Sequence, residues 1–266
     1  MKIIKNILTE NPCYKAGKKL NVKGLMLHSV GTPQPCAKVF LKNWNKSSYT
    51  RACVHGFIDA ETGKIYQTLP WTMRGWHAGK GTKGTANDTH IGVEMCEPAY
   101  IKYFSGSRFN ILNKERALEQ AENTYRSAVE LFAYLCEEYH LDPYKNIISH
   151  KEGHDKGIAS NHGDPDHLWK GLGMDHTMDS FRKDVAKKMS ENIDTNEVPD
   201  TKDLKVQVII DDLNYRSEPS MDGAVLGQTG KGVFTIVETK GGWGKLKSGA
   251  GWIWLKNPKY CKLVTE

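Results

Sequence analysis

Long apolar runs are missing from this sequence. No stretch approaches the roughly 20 residues that a membrane-spanning helix needs. The opening MKIIKNILTENPCYKAGKK has lysines but no apolar segment of usable length, so no secretory signal peptide is expected. Cysteine is sparse and scattered. Cys13, Cys36, Cys53, Cys96, Cys136 and Cys261 contain no CxxC pair, and in a chain without an export signal they are expected as free thiols. Three motif absences narrow the chemistry further. There is no GxSxG nucleophile elbow. The glycine-rich stretch Gly75–Thr89 lacks the GxxxxGK[ST] phosphate loop, since Lys80 and Lys83 each precede a glycine, and it reads as a flexible rim. HKEGH at 150–154 is not HExxH: Glu152 falls one position late, and Gly153 disfavours the helix that would put both histidines on one face.

The 266 residues are 39% hydrophobic, enough for one large domain or a medium domain with a small one. The formal charge of +6 is uneven: residues 1–190 hold 27 Lys and Arg against 20 Asp and Glu, and residues 191–266 hold 10 against 11. A mildly basic first part favours an anionic partner. Nucleic acid and an anionic cell-wall polymer are both partners of that kind; the lysines are dispersed rather than clustered, which argues against nucleic acid.

In chain order, residues 20–29 read as a buried strand ending in His28, and 37–46 have helical spacing. Residues 52–58 and 64–69 form a hairpin signal around Ala60-Glu61-Thr62-Gly63. Ile91–Cys96 is another buried strand, carrying Glu94. The clearest helix spans about Lys114 to Tyr139, with Asn113 as N-cap and Asp142-Pro143 as stop. A last helix is expected from about Met178 to Met189, and the polar stretch 190–204 reads as a linker. Short strands then follow: VQVII, AVLGQ, VFTIVET, WGKLK and GWIWL. The expected fold is α/β (α+β), a mixed central sheet flanked by helices, followed by a small all-β barrel. The expected domains are residues 1–189 and 205–266.

The chemistry concentrates between Ile147 and Trp169, which holds His150, His154, His162, His167, Asp155, Asp164 and Asp166. Hydrolytic zinc sites use three protein ligands and leave one position for water. His28 and His150 each end a strand, and Asp164 lies on a loop that can fold back, so these three make a plausible zinc set at one edge of the sheet. A lone His28 would read as a hydrogen-bonded core histidine. Glu94 has two readings: a general base with a raised pKa, or a residue on the solvent face of an alternating strand. Cys53 and His55 lie on the same face of a strand and leave a cysteine hydrolase open.

The ordered set LMLHSVGT (25–32), VHGFID (54–59), KIYQTLPW (64–71), WHAG (76–79), IGVEMC (91–96), ISHKEG (148–153) and NHGDP (161–165) resembles the N-acetylmuramoyl-L-alanine amidases of the type 2 amidase and peptidoglycan recognition protein superfamily, with an endolysin-like look. The resemblance implies a zinc enzyme that cuts the amide between N-acetylmuramic acid and the L-alanine of the stem peptide. By position it implies His28, His150 and Asp164 as zinc ligands and Glu94 as general base. His162 stands where many members have an oxyanion-stabilising lysine. Val54 replaces a tyrosine found in some members, which puts more weight on Glu94. The rim around Trp76, His77 and Asn87 is expected to hold substrate, with bacterial peptidoglycan as the partner. LNYRSEPS and GGWGKLKSGAGWIW resemble the opening and closing of bacterial SH3-like domains, which implies wall binding through Tyr215, Trp243 and Trp252. The chain is expected to be made in the cytoplasm and to reach the wall after holin-assisted release. Its rivals are a non-catalytic peptidoglycan receptor and a Cys53-dependent peptidase.

Overall fold

The computed structural model describes residues 1–195, 204–220, 223–257 and 260–264. They fall into two units, Met1–Lys188 and Met189–Glu266, a boundary that lies within the helix Met178–Thr195, which starts in the first unit and is counted with it. In chain order the first unit contains β1 (Ile3–Lys5), α1 (Pro12–Ala16), β2 (Gly24–Ser29), α2 (Ala37–Trp44), β3 (Gly56–Ile58), β4 (Ile65–Gln67), β5 (His90–Met95), β6 (Ile101–Ser105), β7 (Arg108–Ile111), α3 (Lys114–Tyr139), α4 (Pro143–Asn146), β8 (Ile147–Ser149), α5 (His150–Asp155), α6 (Asp166–Leu172) and α7 (Met178–Thr195).

Six strands form a mixed sheet in the order β1-β4-β3-β5-β2-β8. β5 and β8 both pair parallel with β2, β3 pairs parallel with β5, and only the β3–β4 hairpin is antiparallel. Parallel central strands must be covered on both faces. The apolar runs of β2 and β5 fit this, with Leu25, Met26, Leu27, Ile91, Val93 and Met95 all fully buried. Helix α3 begins where the Asn113 side chain accepts from the Arg116 N–H. It buries Ala117, Ala121, Tyr125, Ala128, Phe132 and Leu135, one helical stripe. Elsewhere Phe40 of α2 stacks on Phe57 of β3, with Trp44 edge-on to the same ring. A fully buried side chain of this size contributes about 1.5–3 kcal/mol.

Two local expectations need correction. Residues 150–155 do form a helix despite Gly153, because Ser149 and Glu152 make a reciprocal capping box. Gly153 is there for packing: a Cβ would stand 2.7 Å from Met26 Cε and 3.1 Å from Ala159 Cβ. Helix α7 also runs through residues 190–195, the start of the expected linker. No glycine or proline interrupts the chain between Met178 and Glu197. The rest of that linker, 196–203, lies outside the described residues.

Beyond the end of α7, the described part of the second unit is all-β. Strands β9 (Leu204–Val208), β10 (Asn214–Arg216), β11 (Val225–Gln228), β12 (Gly232–Lys240), β13 (Trp243–Leu246), β14 (Trp252–Trp254) and β15 (Cys261–Leu263) form an antiparallel sheet in the order β11-β10-β14-β13-β12-β9-β15. Its core is Val206, Val208, Leu213, Ile236, Leu246, Ile253, Leu255 and Cys261.

Candidate active site

Parallel pairing sets the position of the chemistry. β2, β5 and β8 run side by side, so the C-terminal ends of all three open at the same edge of the sheet. His28 is the penultimate residue of β2, Glu94 is its register partner on β5, and His150 follows directly after β8. The strap after α5 then returns Asp164 to the same point. His28 Nδ1 lies 3.1 Å from Asp164 Oδ2 and 3.1 Å from His150 Nδ1, and His150 Nδ1 lies 3.6 Å from Asp164 Oδ1. All three residues are buried, and one ligand atom from each falls within 4.8 Å of the others.

This donor set can bind a metal. In a tetrahedral zinc site, bonds of about 2.0–2.1 Å place neighbouring donors about 3.3 Å apart. The observed spacings bracket that edge. Two imidazole nitrogens and a carboxylate are also the donor types such a site uses.

The charges are strongly coupled. Burial alone would lower the pKa of His28, but the Asp164 hydrogen bond, with the Glu94 and Asp164 charges, raises it. Burial and the His28 charge push His150 down to about 3. Burial works to raise Asp164, but the hydrogen bond and charge of His28, with His150, hold it below the usual carboxylate range. Burial pushes Glu94 up to about 8, opposed by His28 and reinforced by Asp164 and Glu97. The Glu94 Oε2 atom is buried without a hydrogen-bond partner among the described residues. Glu94 therefore faces the groove as an unsatisfied carboxyl, not solvent on an ordinary alternating strand.

The groove over these residues has a volume of about 660 Å³, within the range of small-ligand sites. Its walls include Trp44, Arg51, Trp76, Tyr103, His162 and His167. His162 is exposed, its Nδ1 3.1 Å from Ser160 Oγ and its ring 4.5 Å from that of His150. Trp76 is 40% exposed on the rim, under the Arg74 guanidinium.

Two residues expected at the rim lie deeper. Asn87 is fully buried: its Oδ1 accepts from the N–H groups of His77 and Ala78, and its Nδ2 donates to Gly79 O and Thr85 Oγ1. With every polar atom used to hold the loop, it has none to offer a substrate. His77 is largely buried but still lines the groove, its Nδ1 3.0 Å from His28 Nε2. Asp166 stands apart from Asp164, at the start of α6, and His154 is at the surface beside Asp155.

A further cluster was not visible in the sequence. Glu97 follows β5, Tyr103 lies on the β6–β7 hairpin and His167 on α6. The Tyr103 hydroxyl lies 2.8 Å from Glu97 Oε2, to which it donates, and 2.7 Å from His167 Nε2. Burial raises Glu97 to about 7. Glutamate just past a buried strand was the available signal, but Tyr103 reaches it from the next hairpin and His167 from a helix much further along the chain.

The Cys53–His55 pair has no catalytic geometry. Cys53 is fully buried, and its hydrogen bond with Cys13, together with burial, pushes the thiol far up. The Gly92 N–H donates to His55 Nδ1 (3.0 Å), and His55 Nε2–H donates to Met73 O (2.8 Å).

Comparison with known proteins matches residues 18–167 to the family N-acetylmuramoyl-L-alanine amidase. The chain belongs to this family. Among curated amidases of Bacillus subtilis (strain 168), it is 45% identical over 60 residues to N-acetylmuramoyl-L-alanine amidase CwlH, covering 23% of this chain and 22% of that one. It is 28% identical over 97 residues to N-acetylmuramoyl-L-alanine amidase CwlA, covering 36% and 34%. The matches thus span from about a fifth to a third of these relatives. A solved structure, a mutant endolysin from Bacillus subtilis, superposes with a TM-score of 0.48 at 21% identity, over 70% of this chain and 99% of that one. All the expected ligands and Glu94 of this amidase-family chain fall within the matched segment.

In the second unit, Trp243 and Trp252 are buried, 4% and 8% exposed. Trp243 meets Trp254 edge-on, and Tyr215 packs on the core. The register sets Trp243, Lys245, Trp252 and Trp254 on the face of β13 and β14 opposite the core residues Leu246 and Ile253, with the Lys245 ammonium over the Trp252 ring, so the rings of Trp243 and Trp252 are covered without being part of the barrel core.

Proposed function

We propose that this chain is a zinc-dependent peptidoglycan hydrolase that cleaves the amide between N-acetylmuramic acid and the L-alanine of the stem peptide. The observation that carries this is the convergence of His28, His150 and Asp164 at a groove wall with the Glu94 carboxyl beside them. His28, His150 and Asp164 would hold the ion. Zinc bound there supplies a Lewis acid toward the scissile carbonyl and toward water.

The remaining steps belong to the chain. The groove orients the muramyl-peptide junction, with Trp76 at its rim. Glu94 accepts the proton of the attacking water and delivers it to the leaving L-alanine nitrogen. Its raised pKa suits both transfers, and a nearby cation draws it lower, towards neutrality. His162 donates a hydrogen bond to the developing oxyanion. The second unit, read as an SH3-like module, attaches the enzyme to the wall, which it reaches after release from the cytoplasm.

Chelation tests this reading. Dialysis against a strong chelator is expected to abolish wall lysis, and stoichiometric zinc to restore it. Undiminished lysis by a protein shown to be zinc-free would refute it.

A further inference from the structure

The described histidines form a chain of contacts running away from the groove. His28 meets His150 on one side and His77 on the other, and His77 meets His55, with ring centroids 4.9, 5.1 and 5.7 Å apart. The hydrogen bonds along this line have a direction. His77 Nε2 lies 3.1 Å from the backbone oxygen of His90. A carbonyl only accepts, so His77 carries its proton on Nε2. Its side-chain hydrogen bonds reach no carboxylate that would compensate a second proton in this buried place. His77 Nδ1 is therefore an acceptor, and what it accepts is the Nε2–H of His28, at 3.0 Å. With its Nε2–H committed to His77, His28 turns Nδ1 to the site, 3.1 Å from both His150 Nδ1 and Asp164 Oδ2; a proton held there by the Asp164 carboxylate is the one a metal would displace, leaving the Nδ1 lone pair as donor.

We propose that His77 is a positioning residue: through the run His90 carbonyl, His77, His28, it fixes the tautomer and aim of His28 so that Nδ1 is presented as a metal donor. The proposal rests on the reading of His28 as a zinc ligand.

The surroundings of His77 are built to hold its ring in place. A Cβ on Gly92 would lie 2.4–2.7 Å from the ring atoms, so only glycine at this position of β5 lets the imidazole lie against the strand. The Asn87 side chain fixes the backbone on the other side, accepting from the His77 and Ala78 N–H groups at 2.7 and 2.9 Å. Cys53 and Trp76 exchange both of their backbone hydrogen bonds, at 2.8 Å each, just before His77. The ligand is thus referenced to the backbone of β5, the strand that carries Glu94.

The test uses the full chain, zinc alone as probe, and three variants. His77→Leu removes the acceptor. His77→Asn retains one, since an asparagine Oδ1 stands close to the place of a histidine Nδ1. Gly92→Ala displaces the ring and leaves every hydrogen-bonding group of the relay in the chain. Zinc affinity is read by competition with a chromophoric chelator, folding by circular dichroism, and the His28 tautomer by imidazole ¹⁵N shifts in the metal-free protein.

Loss of such an outer hydrogen bond typically weakens metal binding about 10–100-fold. That loss is expected for His77→Leu and, in the same direction, for Gly92→Ala, whereas His77→Asn retains most of the affinity. The parent shows His28 protonated at Nε2, and His77→Leu shows a mixture. A parent His28 without a proton on Nε2, a folded His77→Leu with parental affinity, or a folded His77→Asn as weak as His77→Leu would overturn the proposal. If His77→Leu does not fold, His77→Asn, Gly92→Ala and the parent spectrum still decide it: parental affinity in a folded Gly92→Ala overturns it. A parent that takes up no zinc refutes the metal reading instead, and the parent spectrum still decides the relay.

Discussion

His28 and Glu94 are register partners on adjacent parallel strands, so their side chains stand at the same level and on the same side of the sheet. One pairing therefore places a candidate metal donor and a carboxyl together without help from any loop. Glu94→Gln preserves the shape and removes the proton acceptor. Activity on purified walls is expected to fall about 10²–10⁴-fold, the usual contribution of a general base, with zinc content unchanged. Turnover within a few-fold of the parent, at full zinc occupancy, would remove Glu94 from the chemistry.

Acid is expected to destabilise the first unit through its buried histidines. Burial lowers the pKa of His55 to about 4, from an ordinary value of 6.5. The unfolded chain takes up that proton first, so the stability His55 contributes is complete above pH 6.5 and is lost as pH falls from 6.5 towards 4. Between pH 7 and pH 5 this amounts to roughly 2 kcal/mol from His55 alone. His90, lowered to about 4 by burial and by Lys156, acts in the same direction. Urea unfolding of the metal-free protein across this range measures the effect. A flat profile, with His55 titrating near 6.5 by NMR, would contradict it.

Wall attachment is proposed for the second unit. A chain ending at Lys188 is expected to keep its circular dichroism signature and its cleavage of soluble muramyl peptides, while pelleting much less with purified walls. Equal pelleting by the two forms would place attachment in the first unit.

The sequence made the skeleton of this site legible because its parts are local. His28 and His150 stand at the ends of short apolar runs, and Asp164 sits among glycines before a proline, where a strap must turn. The helix from Lys114 to Tyr139 was readable from its stripe and its Asn113 cap. What escaped depends on which groups the folded loops bring together. Asn87 looks like a polar loop residue, but Thr85, Gly79 and the 77–78 backbone enclose it. His77 reads as a groove residue and does line the groove, but its contacts with His28 and Gly92 on either side are not visible in the sequence. Tyr103 and Glu97 meet only because the β6–β7 hairpin folds over the end of β5. Strands β10 and β15, three residues each, are too short to show a period. Gly153 was misread because propensity was weighed without the capping box that outweighs it.

The bond that is cut tests the central claim most directly. Purified peptidoglycan digested with the zinc-loaded protein can be assayed for new amino termini and new reducing sugar ends. The account predicts new L-alanine amino termini and no new reducing ends. New reducing ends, or new termini at residues other than L-alanine, would contradict it.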